Sequence, residues 1–308
     1  VVHHRSPHGE AAQGAHVLRT LDPCRALGAT LTFALTLGAC GTTHSATRGA
    51  EDSMTQRRKQ QVVALLNSIQ TGDAAAIAVI NPDKYIQHNL AAADGLAGFG
   101  ALLAQLPPGS AKVDVVRVFA DGDYVFTHTA YDFFGPKIGF DIFRFEGDRI
   151  VEHWDNLQQT PAGPNPSGRS MIDGAREPTD LGATEANKAR VRAFVEEVLV
   201  GGHGEKLGQY LSSREYLQHN PQIADGIEGL TAALGAMAAS GVSMKYHRVH
   251  HVLGEGNLVL VVSEGEFAGK PTSFYDLFRV ADGLIVEHWD VIEAIPPRES
   301  WKNDNGKF

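Results

Sequence analysis

The chain carries one pattern twice. Tyr85-Ile86-Gln87-His88-Asn89 returns as Tyr216-Leu217-Gln218-His219-Asn220, and Asp141-Ile142-Phe143-Arg144 returns as Asp276-Leu277-Phe278-Arg279. Ile150-Val151-Glu152-His153-Trp154-Asp155 returns unchanged as Ile285-Val286-Glu287-His288-Trp289-Asp290. Order and spacing are kept, so the 308 residues hold two copies of one domain. A duplicated packing core would mainly repeat apolar residues. The repeated residues here are largely His, Asn, Asp, Glu, Arg and Trp, which points to a duplicated site.

Composition narrows the partners. Hydrophobic residues make up 43% and charged residues 20% of the chain, the balance of a soluble globular protein. The net charge of -9 disfavours a nucleic-acid partner. Cys24 and Cys40 both precede the repeats, so neither copy has a disulfide, a thiol nucleophile or a cysteine metal site.

Residues 1–54 read as a leader and tether. Leu27 to Ala39 is an apolar run preceded by Arg19 and Arg25, suited to a signal-peptide core and too short for a mature spanning helix. It ends in Leu37-Gly38-Ala39-Cys40, followed by a polar stretch suited to a flexible tether. That ending resembles a bacterial lipobox, which implies lipid attachment at Cys40 and a place in the cell envelope. The competing expectation is a start at Met54, which gives a cytoplasmic protein without a tether.

Each copy opens with an amphipathic helix. Val62, Leu65, Leu66 and Ile69 form one stripe before Gly72, and Val191, Phe194, Val195, Val198 and Leu199 form the other before Gly201-Gly202. A short second helix, the Tyr-x-Gln-His-Asn strand and a third helix follow, at Leu96–Leu106 and Ile227–Ala238. Four strands then run as a meander, turning at Gly122-Asp123, Gly147-Asp148, Gly256-Asn257 and Asp282-Gly283. The expected fold class is α+β: two tandem cone-shaped domains, each three helices packed on a bent antiparallel sheet. The domains are placed at 55–160 and 183–308, joined by an exposed Pro/Gly/Ser linker at 161–182.

The last hairpin of each copy carries the chemistry. With Gly147-Asp148 as a two-residue loop, strict alternation puts Arg144, His153 and Asp155 on one face and Asp141, Glu152 and Trp154 on the other. The second copy repeats this with Arg279, His288 and Asp290 against Asp276, Glu287 and Trp289. A β-bulge near Trp154 would instead bring Asp141 and Asp155 together. A carboxylate in an apolar cone has its pKa raised by desolvation, which suits it to move a proton. An Arg-Asp-His cluster that merely ties two strands together is the competing expectation. His88-Asn89 and His219-Asn220 form a second constellation, of which only one member per pair can enter a pocket. His128 stands in a strand where the second copy has Val262. His247 and His251 share an expected strand face without a third ligand, so no metal site is expected.

These motifs together resemble those of the SnoaL-like polyketide cyclases, a family with the nuclear-transport-factor-two-like cone fold. The resemblance covers roughly 56–160 and 183–308. It implies a cofactor-free enzyme that closes a ring by intramolecular aldol condensation. Asp155 and Asp290 match the acid/base position, with Asp141, Asp276, His153 and His288 beside them. His88, Asn89, His219, Asn220, His128, Arg144, Arg279, Trp154 and Trp289 are the expected ligand contacts. The expected function is small-molecule carbonyl chemistry of aldol, isomerase or dehydratase type. A non-catalytic ligand-binding module of the envelope and an assembly module that pairs through its sheets are the alternatives. The copies are expected to pack as an intrachain pseudo-dimer, with a membrane reached only through the lipid.

Overall fold

The computed structural model describes residues 41–107 and 109–308. Cys40 and the apolar run before it lie outside the described residues, and among those described no helix is long and apolar enough to cross a membrane.

The first copy comprises α1 (Gly41–Thr71), α2 (Ala74–Ile77), β1 (Ile86–Gln87), α3 (Gly95–Leu103), β2 (Lys112–Asp121), β3 (Tyr124–Asp132), β4 (Pro136–Glu146) and β5 (Arg149–Gln159). The second comprises α4 (Thr184–Phe194, continued by a π turn over Val195–Val200), α5 (Leu207–Tyr210), β6 (Leu217–Gln218), α6 (Gly226–Ala239), β7 (Met244–Glu255), β8 (Leu258–Phe267), β9 (Lys270–Ala281) and β10 (Leu284–Ala294). The polar stretch after Cys40, expected as a flexible tether, is helical: α1 begins at Gly41. It ends at Gly72, whose φ of 71° permits the left-handed turn and whose N–H caps Ser68 O.

Each meander is antiparallel, and the Tyr-x-Gln-His-Asn strand completes it as a parallel edge. The orders are β1-β5-β4-β3-β2 and β6-β10-β9-β8-β7. The sheets are therefore mixed, because the segment after α2 enters beside the last strand in the same direction. At the β9–β10 turn both Asp282 and Gly283 have positive φ, at 50° and 72°, as a two-residue turn between twisted strands requires.

Each sheet buries both faces. The concave faces pack under the helices: Val62, Leu65, Leu66, Val125 and Phe143 in the first copy, and Val191, Phe194, Val261 and Phe278 in the second. The other faces pack against each other, with Phe126, Phe140, Ile142 and Trp154 meeting Leu260, Tyr275, Leu277 and Trp289. Burial on both sides explains the unbroken apolar run Leu258-Val-Leu-Val-Val262. Each large side chain buried this way contributes roughly 1.5–3 kcal/mol. Asn156 stitches the seam, donating through Nδ2 to Val291 O at 2.7 Å and Ser273 O at 3.1 Å.

The segment after each sheet crosses to the other copy. After β5, Asn165 Nδ2 donates to Gln218 O at 2.6 Å and Ile223 O at 3.0 Å. After β10, Asn303 Nδ2 donates to Asn89 O at 2.8 Å and Ala92 O at 2.9 Å. The linker expected to be exposed is thus anchored, and Met171 within it is buried between the sheets.

Candidate active site

A bulge decides which residues meet. The β4–β5 register slips after Arg144↔Glu152, leaving Val151 unpaired before Phe145↔Ile150. Asp141 then faces Asp155, Phe143 faces His153, and Arg144 faces Glu152. The second copy repeats it at Val286, with Asp276 opposite Asp290 and Arg279 opposite Glu287. This corrects the strict alternation: Arg144 and Arg279 leave the His–Asp face, and Asp141 and Asp276 join it. The bulge lies beside the turn, three residues earlier than the one considered at Trp154.

Asp141, His153 and Asp155 form a buried trio on the concave face, as do Asp276, His288 and Asp290. His153 Nε2 lies 3.2 Å from Asp141 Oδ1, and His288 Nε2 lies 3.0 Å from Asp276 Oδ1. The other ring nitrogens meet Gln87 Oε1 at 2.9 Å and Gln218 Oε1 at 3.0 Å. Those amide oxygens also accept backbone N–H groups, from Asn89 and Asn220. The oxygen is therefore fixed as an acceptor and Nδ1 of each histidine carries a proton. The Nε2 contact must then hold a second proton, on the imidazole or on the carboxyl.

Burial pulls the His288 imidazole down, but the Asp276 hydrogen bond and the charges of Asp290 and Asp276 outweigh it, and its pKa ends above the usual range. Burial raises the Asp290 carboxyl; the charge of Asp276 adds to this and His288 opposes it, with the net shift upward. His288 is thus hydrogen-bonded to Asp276, and Asp290 is the carboxyl of the trio that burial disposes to hold a proton. Asn89 and Asn220 enter this face: Asn220 Nδ2 donates to Asp290 Oδ2 at 2.7 Å.

Several partners were not foreseen. Tyr131 Oη donates to Asp141 Oδ2 at 2.6 Å, and Tyr246 Oη lies 3.3 Å from both oxygens of Asp276. These tyrosines come from β3 and β7, which are not equivalent strands, so no repeat marks them. Gln87 and Gln218 do repeat, and alternation from Asn89 and Asn220 would have found them.

A cavity of ≈ 1010 Å³ opens onto the second trio, at the top of the usual range of roughly 300–1,000 Å³ for ligand pockets. Phe194, Val198, Leu230, Leu234, Met237 and Phe267 wall it; Tyr216, Gln218, Asn220, Tyr246, Asp276, His288 and Asp290 make the polar end. Gln158 reaches its lining from the first copy. Asp290 Oδ1 is buried without a hydrogen-bond partner. A hollow of ≈ 610 Å³ beside Pro296, Trp301 and Phe308 contains neither trio.

The remaining expected contacts lie on the back face and hold the crossing segments. Glu152 accepts from Arg144 Nε at 2.7 Å and faces His88 Nε2 at 3.1 Å, while His88 stacks on Trp154. Glu287, Arg279, His219 and Trp289 repeat the set. His88 Nδ1 donates to Gly306 O at 3.0 Å and His219 Nδ1 to Ser170 O at 2.8 Å. His128 is fully buried, stacks on Phe140 and accepts at Nδ1 from Arg117 Nη1 at 3.0 Å. Burial, and then Arg117, hold it far below the usual imidazole range. Arg117 in turn donates to Ala175 O at 2.6 Å and lies over Trp289. The expected pair His247 and His251 is parted by bulges at Tyr246/Arg248 and Val249/His251. His247 faces Glu266, and His251 packs on Trp154. Each Asp-His-Asp trio, by contrast, offers one nitrogen and two carboxylate oxygens within 4.8 Å of one another, a set able to ligate a cation.

A sequence profile of the SnoaL-like domain matches residues 62–153 and again 191–288. No curated protein matches the chain. Among solved structures, an LEH-like epoxide hydrolase from M. tuberculosis is 22% identical, covering 34% of this chain and 84% of its own at a TM-score of 0.30. A candidate ketosteroid isomerase from Kribbella flavida is 18% identical over 37% of this chain and 84% of its own, with a TM-score of 0.31. A candidate polyketide cyclase from Streptomyces antibioticus is 21% identical over 35% and 91%, with a TM-score of 0.28. With the profile matched in both halves, in register with the repeated motifs, the chain belongs to the SnoaL-like domain family and carries that domain twice.

Proposed function

We propose that the protein is a cofactor-free acid/base enzyme acting on an apolar carbonyl compound, as an aldol-type cyclase, isomerase or dehydratase. The observation that carries this reading is the buried Asp276–His288–Asp290 trio at the polar end of a mostly apolar cavity. A raised carboxyl is a stronger base when ionised and keeps its proton to higher pH when protonated. Asp290 takes the α-proton through Oδ1, the oxygen that no donor holds, while Asn220 fixes Oδ2. The electron pair of the broken C–H bond moves to the carbonyl oxygen as an enolate. The His288 cation and the Asn220 amide lie close enough to the carboxylate to offset that charge. Returning the proton to another carbon is isomerisation; attack of the enolate on a second carbonyl is ring closure.

The test is hydrogen–deuterium exchange at the α-carbon of β-tetralone in D2O, followed by proton NMR with the full chain. Catalysed exchange that survives EDTA is expected. Asp290→Asn is expected to lower it by about 10²–10⁴-fold. Exchange no faster than buffer would end the carbonyl reading and leave the cavity as a binding site without chemistry.

A further inference from the structure

The last-strand carboxylates of the two trios differ at one oxygen. In both copies an asparagine holds Oδ2 of the carboxylate on the last strand, Asn89 for Asp155 at 2.5 Å and Asn220 for Asp290 at 2.7 Å. Asp290 Oδ1 has no hydrogen-bond partner. Asp155 Oδ1 lies 3.7 Å from Lys307 Nζ, and the lysine side chain is only 5% exposed. Lys307 arrives on the segment that crosses over after β10. It is shared with Glu293, at 2.6 Å, whose Oε2 also accepts from Leu157 N at 3.3 Å.

Among the described residues the second copy has no counterpart to this charged pair. At the place of Glu293 in the repeat stands Gln158, a neutral amide that accepts from Ile292 N at 2.9 Å. The crossing segment contacts His219 through Ser170 O as the other contacts His88 through Gly306 O. The residue after Gly306 is Lys307; the residue after Ser170 is Met171, whose apolar side chain lies between the sheets.

We infer that the copies have diverged in role: the second cavity alone performs the chemistry, and Lys307 disarms the first site by engaging Asp155. This rests on the acid/base reading above. The ammonium lies against Asp155 Oδ1, the oxygen that stays open in Asp290, so that oxygen is not free to take a proton from a substrate. The pair is buried, so solvent screens it little. In the first site it is Glu293 that burial raises, against the pull of Lys307, with Asp155 adding to the rise. Asp141, His153 and the buried Tyr85, Tyr131 and Tyr275 also surround Asp155. The second cavity has mostly apolar walls; among its lining residues the one lysine or arginine is Lys270, six residues before Asp276 along β9. That suits a neutral, largely apolar molecule with a hydrogen-bonding group at one end.

The test labels protonated buried carboxyls in the full chain with p-tolyl-N,N-dimethyl diazoacetamide, a neutral apolar reagent. The acid proton moves to the diazo carbon, dinitrogen leaves, and the carboxylate oxygen bonds to that carbon as an ester. Peptide mass spectrometry then maps the ester. Asp290 is expected to be esterified at least about tenfold more than Asp155 near neutral pH. Lys307→Met is expected to bring Asp155 up to the level of Asp290, and Lys307→Arg to leave it low; Lys307→Gln, checked by circular dichroism, replaces the Met variant if that fails to fold. Equal esters in the wild type, ester mainly at Asp155, none at either, or no response to loss of the lysine charge would each overturn the inference. The labelling needs no turnover. Absent β-tetralone exchange with an ester confined to Asp290 would end the carbonyl reading alone. Present exchange of which Asp290→Asn retains half or more would end the division of roles alone.

Discussion

Asp276 and Asp290 face each other across β9 and β10 because Val286 is squeezed out of the ladder between Ile285 and Glu287. Side chains alternate with a period of two, so one unpaired residue turns everything beyond it to the opposite face. Deleting Val286 makes Ile285↔Val280 and Glu287↔Arg279 consecutive pairs of a regular ladder, so His288 and Asp290 are expected to keep their face and their partners. The expected cost is about 1.5–3 kcal/mol, the worth of one buried valine side chain. Chemical denaturation of the deletion variant checks this. A loss above about 4 kcal/mol would mean that the register beyond the bulge is lost.

Trp289 and Trp154 occupy equivalent places with unequal bonding. Trp289 Nε1 donates to Asp173 O at 2.8 Å, whereas Trp154 Nε1 is buried without a partner. Phenylalanine keeps an aromatic face for the stacked histidine and removes only the donor. Trp289→Phe is expected to destabilise by about 1 kcal/mol beyond the shared loss of ring area, and Trp154→Phe by less or not at all. Equal costs in denaturant titration would contradict this.

Glu287 and Glu152 form a similar contrast. Glu287 is 1% exposed between Arg279 and His219, while Glu152 is 15% exposed between Arg144 and His88. Removing one partner of a fully buried ion pair leaves the other charge uncompensated. Glu287→Ala is expected to cost about 3–5 kcal/mol, and Glu152→Ala about 1–2 kcal/mol because water reaches its partners. The measurement is the midpoint of urea unfolding; the reverse ranking would sink the argument.

The duplicated helix–helix–strand–helix–meander order was legible because stripes such as Val62, Leu65 and Leu66 and turns such as Asp282-Gly283 have local causes. The carboxylate, histidine and asparagine of each site were legible because they repeat. Which face they share was not, since a single unpaired valine leaves no mark in an apolar strand. The back-face set of Arg144, Glu152, His88 and Trp154 repeats just as faithfully as the trio. Its partner is the main chain of a crossing segment, at Gly306 and Ser170, which no local pattern announces. Repetition of polar residues thus flagged two structures, a concave site and a clamp, and could not separate them.

The clearest pH signature is expected from the second trio. The folded pKa of His288 lies above its ordinary value of 6.5, because contacts with Asp276 and the nearby carboxylate charges outweigh burial. A raised imidazole contributes stability that is fully present below pH 6.5 and is lost as pH rises through the folded value. Asp290 is also raised, mainly by burial, so its contribution is complete below its ordinary value of 3.8 and is likewise lost as pH rises through the folded value. Both groups therefore tilt stability the same way, downward with rising pH. His288→Gln removes the imidazole and with it the loss above pH 6.5, so its Tm is expected to change less than that of the wild type from there upward. Thermal melts by circular dichroism over that window decide the matter. Parallel Tm profiles for the variant and the wild type would show that His288 is not held as the cation of the Asp276 pair.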